Sequence, residues 1–468
     1  MTLVAPDLLF PTDDAARTVA RDLYAAIKDL PIISPHGHTD PRWYAENALF
    51  PDPAQLLIVP DHYIFRMLFS QGVRLEDLGV PTLDGSAVET DGRKIWRIFA
   101  ENYYLFRGTP TRLWLDYTFA NLFGLEEPLT PANADRHYDA IAALLQTDAF
   151  RPRALFERFN IEVISTTDGA LDELSSHRMI RESGWSGRVV PAYRPDAVID
   201  PDFEGFGTAL DRLGEISGCD TGRWQGYLEA HRNRRAYFQS FGATATDHGL
   251  ASAETANLSA AEAQSLFDSV RSGRADERQR ALFRAQMLTE MAKMSAEDGL
   301  VMQIHPGSWR NHSPTIFKKF GRDKGFDIPT QTDYVRALKP MLDAVGTDPR
   351  VSIILFTLDE TSYARELAPL AGVYPALKLG PAWWFHDSPE GMRRFREMTT
   401  ETAGFYNTVG FNDDTRAFPS IPARHDVARR VDCAFLARLV AEHRLGEEEA
   451  HDLAQALTYG LAKGAYKL

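Results

Sequence analysis

The chain of 468 residues has 65 acidic and 51 basic residues, a net charge of −14, and 44% hydrophobic residues. This composition excludes a disordered chain and argues against a nucleic acid or an anionic membrane as partner. The two cysteines, Cys219 and Cys433, form no CxxC pattern, so neither a disulfide framework nor a thiolate zinc site is expected. Without a signal-sequence pattern or an apolar run of about 18 residues, the chain is predicted to be soluble and cytoplasmic.

The first part of the chain predicts a helix, a short buried strand and a long helical segment. Asp13-Asp14 can cap a helix that runs to Lys28, and residues 30–35 form an apolar run typical of a strand. From residue 39 to about 160 the pattern is helical and rich in aromatic residues, with no convincing strand. We expect a helical insertion over the mouth of a barrel, although a separate helical domain would leave the same pattern.

After residue 160, apolar or β-branched runs alternate with amphipathic helical segments. With the strand before His36 they make eight, which predicts an α/β fold of the distorted (β/α)8 TIM-type barrel class, not a doubly wound sheet. No glycine-rich phosphate loop follows any of them, so no nucleotide cofactor is expected. We expect residues 1–38 and 161–468 to form the catalytic barrel and residues 39–160 the insertion. The seven later runs are 161–167, 188–194, 242–247, 299–305, 351–357, 374–380 and 405–411.

His36-Gly37-His38 stands at the end of the first predicted strand. Side chains at i and i+2 of a strand point to the same face, so the two imidazoles can converge on one divalent ion. In an isolated HxH motif one histidine more often packs and the other is solvated. The position at a barrel strand end favours the metal site.

The other predicted strand ends also carry polar residues, and catalytic groups of such barrels stand at these ends. Asp168 and Asp359 can equally be helix caps or turn residues. Six of the eight ends have His, Asp or Arg in forms that caps do not require. The residues are Thr167-Asp168, Arg194, Asp247-His248, His305, Thr357 with Asp359 and Glu360, Trp383-Trp384, and Asp413-Asp414-Thr415-Arg416.

These residues resemble the amidohydrolase superfamily and, within it, the uronate (glucuronate) isomerases. The resemblance covers about residues 20 to 440 in the family's order. The last strand end and the segment 108–115 depart from the family pattern, which suggests a divergent branch. The matching stretches are His36-Gly37-His38-Thr39-Asp40-Pro41, Asp61-His62-Tyr63 with Arg66, Thr166-Thr167-Asp168, Arg194-Pro195-Asp196, Asp247-His248-Gly249, Met302-Gln303-Ile304-His305, Trp383-Trp384-Phe385 and Asp414-Thr415-Arg416-Ala417-Phe418.

The resemblance implies an aldose–ketose isomerase that converts D-glucuronate to D-fructuronate, D-galacturonate to D-tagaturonate, or both. A proton would move between C2 and C1 through a cis-enediol, with Asp414 as base and Arg416 steadying the charge. His62 and Tyr63 would serve the oxygens as proton shuttle and hydrogen-bond donor. Asp414 can instead be a metal ligand only or pair with Arg416, and His62 and Tyr63 can simply begin a helix capped by Asp61.

The remaining expectations concern substrate and metal. Arg194, Arg66 and Arg310 can hold a hexuronate carboxylate through bidentate hydrogen bonds, or form surface ion pairs. Trp383 and Trp384 can provide an apolar wall or be core residues. The resemblance implies one divalent ion, most simply zinc, on His36, His38 and Asp414, with His305 as a ligand or substrate contact.

Two other classes of function compete with the isomerase. One is a mononuclear metal-dependent hydrolase or deaminase on the same barrel. A deaminase of the adenosine type would have a glutamate soon after His305, and none is there. The other is an inactive sugar-binding barrel. The sequence leaves open the preferred uronate, the metal, the oligomeric state, with a homo-oligomer compatible, and whether Asp413 or Asp414 faces the pocket.

Overall fold

The computed structural model describes residues 3–468 and contains one curled, parallel, seven-stranded sheet. Its strand order is β1-β2-β3-β4-β5-β8-β9, so each strand lies beside the next one along the chain apart from a short ribbon, β6 with β7. The strands are β1 Ile32–Ser34, β2 Ile161–Gly169, β3 Arg188–Arg194, β4 Ala245–His248, β5 Val301–Ile304, β6 Ser308–Trp309, β7 Ile328–Pro329, β8 Ile353–Leu355 and β9 Leu377–Leu379.

The eighth predicted run, 405–411, is not a regular strand, so the prediction of a strand there is wrong. The barrel is distorted at this position. Only Thr408 pairs with the sheet, through a parallel bridge to Leu379. Gly410 has φ of 75°, which turns the chain out of the extended conformation. Two backbone hydrogen bonds then close the sheet onto β1, from His38 N to the Thr415 carbonyl (3.0 Å) and from Asp414 N to the His36 carbonyl (3.3 Å). The predicted distorted (β/α)8 barrel is confirmed.

Helices surround the sheet, and the predicted first helix is present with Asp13 as its N-cap. The segment 39–160 has seven α-helices and no strand. Its division from the barrel as a unit stays a prediction, and residues 1 and 2 lie outside the described chain. The α-helices are α1 Asp14–Ile27, α2 Pro41–Glu46, α3 Pro53–Leu57, α4 His62–Ser70, α5 Gly92–Glu101, α6 Pro110–Tyr117, α7 Ala134–Leu145, α8 Pro152–Arg158, α9 Ser175–Glu182, α10 Asp196–Ile199, α11 Phe206–Ser217, α12 Trp224–Gln239, α13 Ala260–Arg271, α14 Glu277–Asp298, α15 Pro314–Phe320, α16 Lys339–Val345, α17 Ala368–Val373, α18 Pro389–Ala403, α19 Ile421–Ala441, α20 Glu447–Gln455 and α21 Leu461–Ala465.

Two large apolar clusters hold these layers together. The barrel cluster packs β5, β8 and β9 against the outer helices, with Met302, Ile353 and Leu377 fully buried. The second cluster is built mainly from side chains of 39–160, including aromatic ones such as Trp96 and Phe119, and it also takes in residues of β1, β2 and β3. Each cluster contains buried aromatic and aliphatic groups, whose removal from water stabilises the fold.

An antiparallel ribbon that the sequence did not predict follows β5. Ser308 in β6 pairs with Pro329 in β7, and Trp309 pairs with Ile328. The loop between these two strands contains α15 and returns over the carboxyl ends of the barrel strands. Within residues 3–468, no helix combines the length and apolarity needed for a membrane span. The cytoplasmic location stays a prediction.

Candidate active site

A pocket open to solvent on one side lies at the carboxyl ends of the barrel strands. All eleven predicted site residues except Arg66 line it. Arg310, which the sequence also offered, lines it too, as do Asp247, Asp323, Gly325 and Asp327. The full lining is His36, His38, His62, Tyr63, Arg194, Asp247, His305, Arg310, Asp323, Gly325, Asp327, Trp383, Trp384, Asp414 and Arg416.

His36, His38 and Asp414 bring three metal-ligating atoms together at the bottom of this pocket. Asp414 Oδ1 lies 3.5 Å from His36 Nε2 and 3.2 Å from His38 Nε2. Asp414 Oδ1 is buried without a hydrogen-bond partner among the described residues. Two imidazole nitrogens and a carboxylate oxygen are a donor set that suits zinc and similar ions. These residues therefore fit a divalent metal ion.

Asp414, not Asp413, faces the pocket. Trp383 Nε1 donates a hydrogen bond to Asp414 Oδ2 at 2.7 Å. Asp413 is 2% exposed, and its Oδ2 lies 3.0 Å from His425 Nε2 on α19, away from the pocket. Asp414 has a φ of 41°, so the backbone leaves the extended conformation between the two carboxylates. The structure thereby decides a choice that strand alternation left open.

The charges around Asp414 keep it ionised. Burial opposes its ionisation, but the electrostatic attraction of the nearby His36 and His38 imidazoles outweighs burial and holds the pKa of Asp414 well below its ordinary value. Arg416 does not pair with Asp414. Its Nη2 instead lies 3.8 Å from Asp323 Oδ1, and its Nε has no partner. Arg416 thus keeps hydrogen-bond donors for a ligand.

A second hydrogen-bonded group stands at the ends of β3, β4 and β5. His305 Nδ1 lies 2.7 Å from Asp247 Oδ1, and Arg194 Nη1 lies 3.3 Å from Asp247 Oδ2. His305 Nε2 is buried without a partner. Burial lowers the pKa of His305 to about 4 despite Asp247, so the ring is neutral at pH 7. His36, Asp247 and His305 also form a group with metal-ligand spacing that shares His36 with the first.

His62 and Tyr63 begin α4 and still reach the pocket. Asp61 accepts a hydrogen bond from Tyr63 N at 2.9 Å, which confirms the expected cap. The backbone of Gly325, with φ of 75°, approaches so closely that an added Cβ would lie 2.9 Å from His62 Cβ. Burial, with Arg416 and Arg66 nearby, lowers the pKa of His62 well below its ordinary value. Tyr63 donates its hydroxyl proton to Asp387 Oδ2 at 2.7 Å.

Arg66 is the predicted site residue that the structure places elsewhere. Its guanidinium lies 4.8 Å from the centre of the Phe385 ring and does not line the pocket. One turn of α4 separates it from His62, and the helix directs it toward the loop after β9. Arg310 does line the pocket, where its Nη1 donates to Asp327 Oδ2 at 3.1 Å.

Comparison with known proteins agrees with this geometry. The family model described as glucuronate isomerase matches residues 12–466. The chain belongs to the glucuronate isomerase family. A uronate isomerase of Mesorhizobium japonicum is 78% identical over 468 residues, which is all of both chains. The crystal structure of glucuronate isomerase from Caulobacter crescentus has a TM-score of 0.98 at 62% identity, covering 100% of this chain and 98% of that one.

More distant structures keep the architecture. The uronate isomerase of Thermotoga maritima has a TM-score of 0.92 at 26% identity, covering 99% of each chain. A protein of Lactobacillus casei described as a putative metal-dependent hydrolase has a TM-score of 0.52 at 14% identity, which shows the fold alone.

In this member of the isomerase family, sequence reasoning missed three acidic pocket residues. Asp247 was visible at a strand end, but nothing marked it as a partner of His305. Asp323 and Asp327 lie in the loop of the unpredicted ribbon, where no motif or periodicity identifies them. Their only signal was the neighbouring Arg310, which the sequence proposed as a carboxylate contact.

Proposed function

We propose that this chain interconverts an aldose uronate and its ketose, D-glucuronate with D-fructuronate, D-galacturonate with D-tagaturonate, or both. One observation carries the proposal: the carboxylate of Asp414, held ionised by its surroundings, is aimed into the pocket by Trp383 and lines the same pocket as Arg416, whose Nε has no partner. A base next to a cationic donor is what proton transfer at a carbon beside a carbonyl requires. Family membership supports the same reaction.

In this reaction Asp414 takes the proton from C2 of the open-chain sugar. The electron pair of the C–H bond forms the C1–C2 double bond of a cis-enediol, and the charge that develops on the sugar oxygens is stabilised by Arg416. Asp414 then returns the proton at C1, while O1 gains a proton and the O2 hydroxyl loses its own by way of His62, which leaves the C2 carbonyl of the ketose. Because its pKa is low, Asp414 is a weak base and must be placed within hydrogen-bond reach of the C2 proton. The bond from Trp383 provides that placement.

We further propose that one zinc ion is held by His36, His38 and Asp414, with His305 close by. The orphaned Oδ1 of Asp414 between the two imidazoles supports this assignment. When bound, such an ion supplies positive charge that polarises the sugar oxygen it contacts. His62, neutral at pH 7, exchanges protons with the sugar oxygens, and Trp384 packs beside it with the ring centres 5.2 Å apart.

Arg194 and Arg310 are the proposed contacts of the hexuronate carboxylate. A Cβ added at Gly249 would lie against Arg194 Nη2 and 3.0 Å from Arg310 Nη2, so the two guanidinium ends lie close together above this glycine. Two adjacent guanidinium groups match the charge and geometry of a carboxylate. Arg66 is no longer part of this proposal, because it lies outside the pocket.

The test is incubation of the metal-loaded protein with D-glucuronate and with D-galacturonate in D2O, followed by NMR. We expect ketose to form from at least one uronate. Deuterium at C1 of the product would show that the transferred proton exchanges with solvent before it is returned. Absence of ketose from both sugars contradicts the proposed function, and release of a hydrolysis product from a uronate ester or amide would favour the hydrolase class.

A further inference from the structure

A buried network behind Tyr63 is not used by the mechanism above. Asp387 Oδ2 accepts two hydrogen bonds, from the Tyr63 hydroxyl at 2.7 Å and from Arg424 Nη1 at 2.8 Å. Arg424 is 2% exposed, and its guanidinium lies 3.6 Å from the centre of the Trp114 ring. Asp387 does not line the pocket, so it does not itself contact a ligand there, whereas Tyr63 does line it.

The network joins three separate parts of the chain. Tyr63 belongs to α4 in the segment 39–160, Asp387 to the loop after β9, and Arg424 to α19. The loop after β9 also carries Trp383, which directs Asp414. Arg424 Nη1 lies 3.3 Å from the Asp413 carbonyl and so also connects to the backbone beside Asp414. One loop therefore sets the orientation of two pocket side chains.

A phenol has one proton to donate, and two lone pairs on its oxygen. Here the hydroxyl proton is donated in a hydrogen bond to Asp387, so the Tyr63 oxygen can act toward a ligand in the pocket only as a hydrogen-bond acceptor. This changes the donor role expected from the sequence. To donate to a sugar oxygen, the Tyr63 hydroxyl would have to break its hydrogen bond to Asp387 Oδ2, which would then keep only the bond from Arg424. This exchange is unfavourable, because a hydrogen bond to a charged acceptor contributes more than one to a neutral acceptor.

We infer that Asp387 is a positioning residue for the isomerase reaction, which fixes the Tyr63 hydroxyl so that its oxygen accepts a hydrogen bond from a substrate hydroxyl. Arg424 holds the Asp387 carboxylate in place for this task. The inference rests on the proposed function and adds a residue that does not touch the substrate. It predicts that Asp387 matters only as long as Tyr63 has its hydroxyl.

The test is a double-mutant cycle in the metal-loaded full chain, with Asp387→Ala, Asp387→Asn and Tyr63→Phe. Asp387→Ala removes the acceptor, whereas Asp387→Asn keeps an oxygen acceptor without the charge. We expect Asp387→Ala to lower kcat by on the order of 10- to 100-fold, as is typical when a supporting hydrogen-bond partner is lost. KM should change less, and Asp387→Asn should recover part of the loss.

The decisive measurement is the same pair of substitutions in the Tyr63→Phe background, where we expect neither to lower kcat further. Asp432→Asn is the matched control, because Asp432 on α19 forms a similarly buried pair with Arg396 on α18 outside the pocket lining, with bonds of 2.7 and 2.8 Å. Thermal unfolding of the Asp432→Asn variant measures the loss of stability when such a buried ion pair is broken without involving Tyr63.

Three outcomes overturn the inference. An equal loss for Asp387→Ala and Asp387→Asn that persists without the Tyr63 hydroxyl means a structural role only. Wild-type kcat in Asp387→Ala means that Tyr63 needs no fixed orientation. If Asp387→Ala does not fold, the cycle is completed with Asp387→Asn, and full additivity with Tyr63→Phe is the contradicting result. An inactive wild-type protein would instead contradict the proposed function.

Discussion

The carboxylates at the ends of the barrel strands fall into two regions with different surroundings. At the closing seam between β1 and the eighth segment, Asp414 points into the pocket and its Oδ1 has no hydrogen-bond partner. At the ends of β2 and β8, the carboxylates accept hydrogen bonds from residues two positions away in the sequence. Asp168 accepts from Thr166 Oγ1 at 2.7 Å, and Asp359 Oδ1 accepts from Thr361 N at 3.1 Å.

The difference shows that a polar residue at a strand end is not by itself a site residue. The end of β2 supports the seam without entering it, since Thr167 Oγ1 donates to the Gly37 carbonyl between the two histidines at 3.0 Å. What distinguishes the seam from the ends of β2 and β8 is that buried polar atoms such as Asp414 Oδ1 have no partner there, which is costly unless a ligand satisfies them. Four experiments test this distinction.

The largest effect is expected for Asp414→Asn. The substitution keeps the shape and removes the base, so kcat should fall by on the order of 10²–10⁴, the range for general acid–base catalysis. KM should change less. The measurement is steady-state kinetics on both uronates together with metal content, since Asp414 is also a proposed ligand. Asp413→Asn is the neighbouring control, and a collapse of kcat there with near-normal turnover in Asp414→Asn would reverse the assignment.

The double variant His36→Ala with His38→Ala should lose most of its bound metal. Removing two of three ligating side chains leaves too few donors for a stable site. Elemental analysis of protein purified without chelator is the measurement. His425→Ala is the control, because His425 is as buried as His36 and lies beside a carboxylate, Asp413, outside the pocket. Equal metal content in the double variant and the wild type would refute the site.

Arg310→Gln should raise KM for a uronate by roughly 10- to 100-fold, because a hydrogen bond between charged groups contributes about 1.5–3 kcal/mol. We expect kcat to change little. Arg66→Gln is the control from outside the pocket and should leave KM near the wild-type value. If instead KM rises in Arg66→Gln and not in Arg310→Gln, the carboxylate is bound on the other side of α4.

The smallest effect on activity is expected for Asp168→Asn, which acts on stability. Burial raises the pKa of Asp168 to about 7, above the value of about 3.9 for an unfolded chain. The folded state therefore holds a proton that the unfolded state has released, and this carboxyl makes folding less favourable as pH rises from about 4 to 7. The asparagine cannot ionise, so its stability relative to wild type should increase over that window, by at most about 1.4 kcal/mol per pH unit.

The measurement is urea unfolding of both proteins at several pH values between 4 and 8. A difference between the two proteins that does not change with pH would mean that Asp168 has the same pKa folded and unfolded. Turnover should stay close to wild type throughout, since Asp168 does not line the pocket.

The sequence by itself determined the barrel, the insertion-like helical segment and most of the site. Alternation of apolar runs with helical segments is a local property, and HxH spacing sets both imidazoles on one face of a strand whatever the rest of the fold does. For the same reason the helix cap at Asp61 was predictable from its neighbours in the chain. Ten of the eleven proposed site residues reached the pocket because strand ends of a barrel meet at one rim.

Only the tertiary structure decided the direction of individual side chains. Whether Asp413 or Asp414 entered the pocket depended on a left-handed residue at the irregular eighth segment. The hydrogen-bond partners of Tyr63 and Asp414 come from the same loop after β9. That loop lies more than 300 residues from Tyr63 along the chain and about 30 residues from Asp414. Arg66 points away from the pocket toward Phe385, and Asp323 lines the pocket from the loop between β6 and β7, which no sequence periodicity predicted. Hydrogen bonds between distant segments fix these orientations, and a sequence read locally contains no record of such pairings.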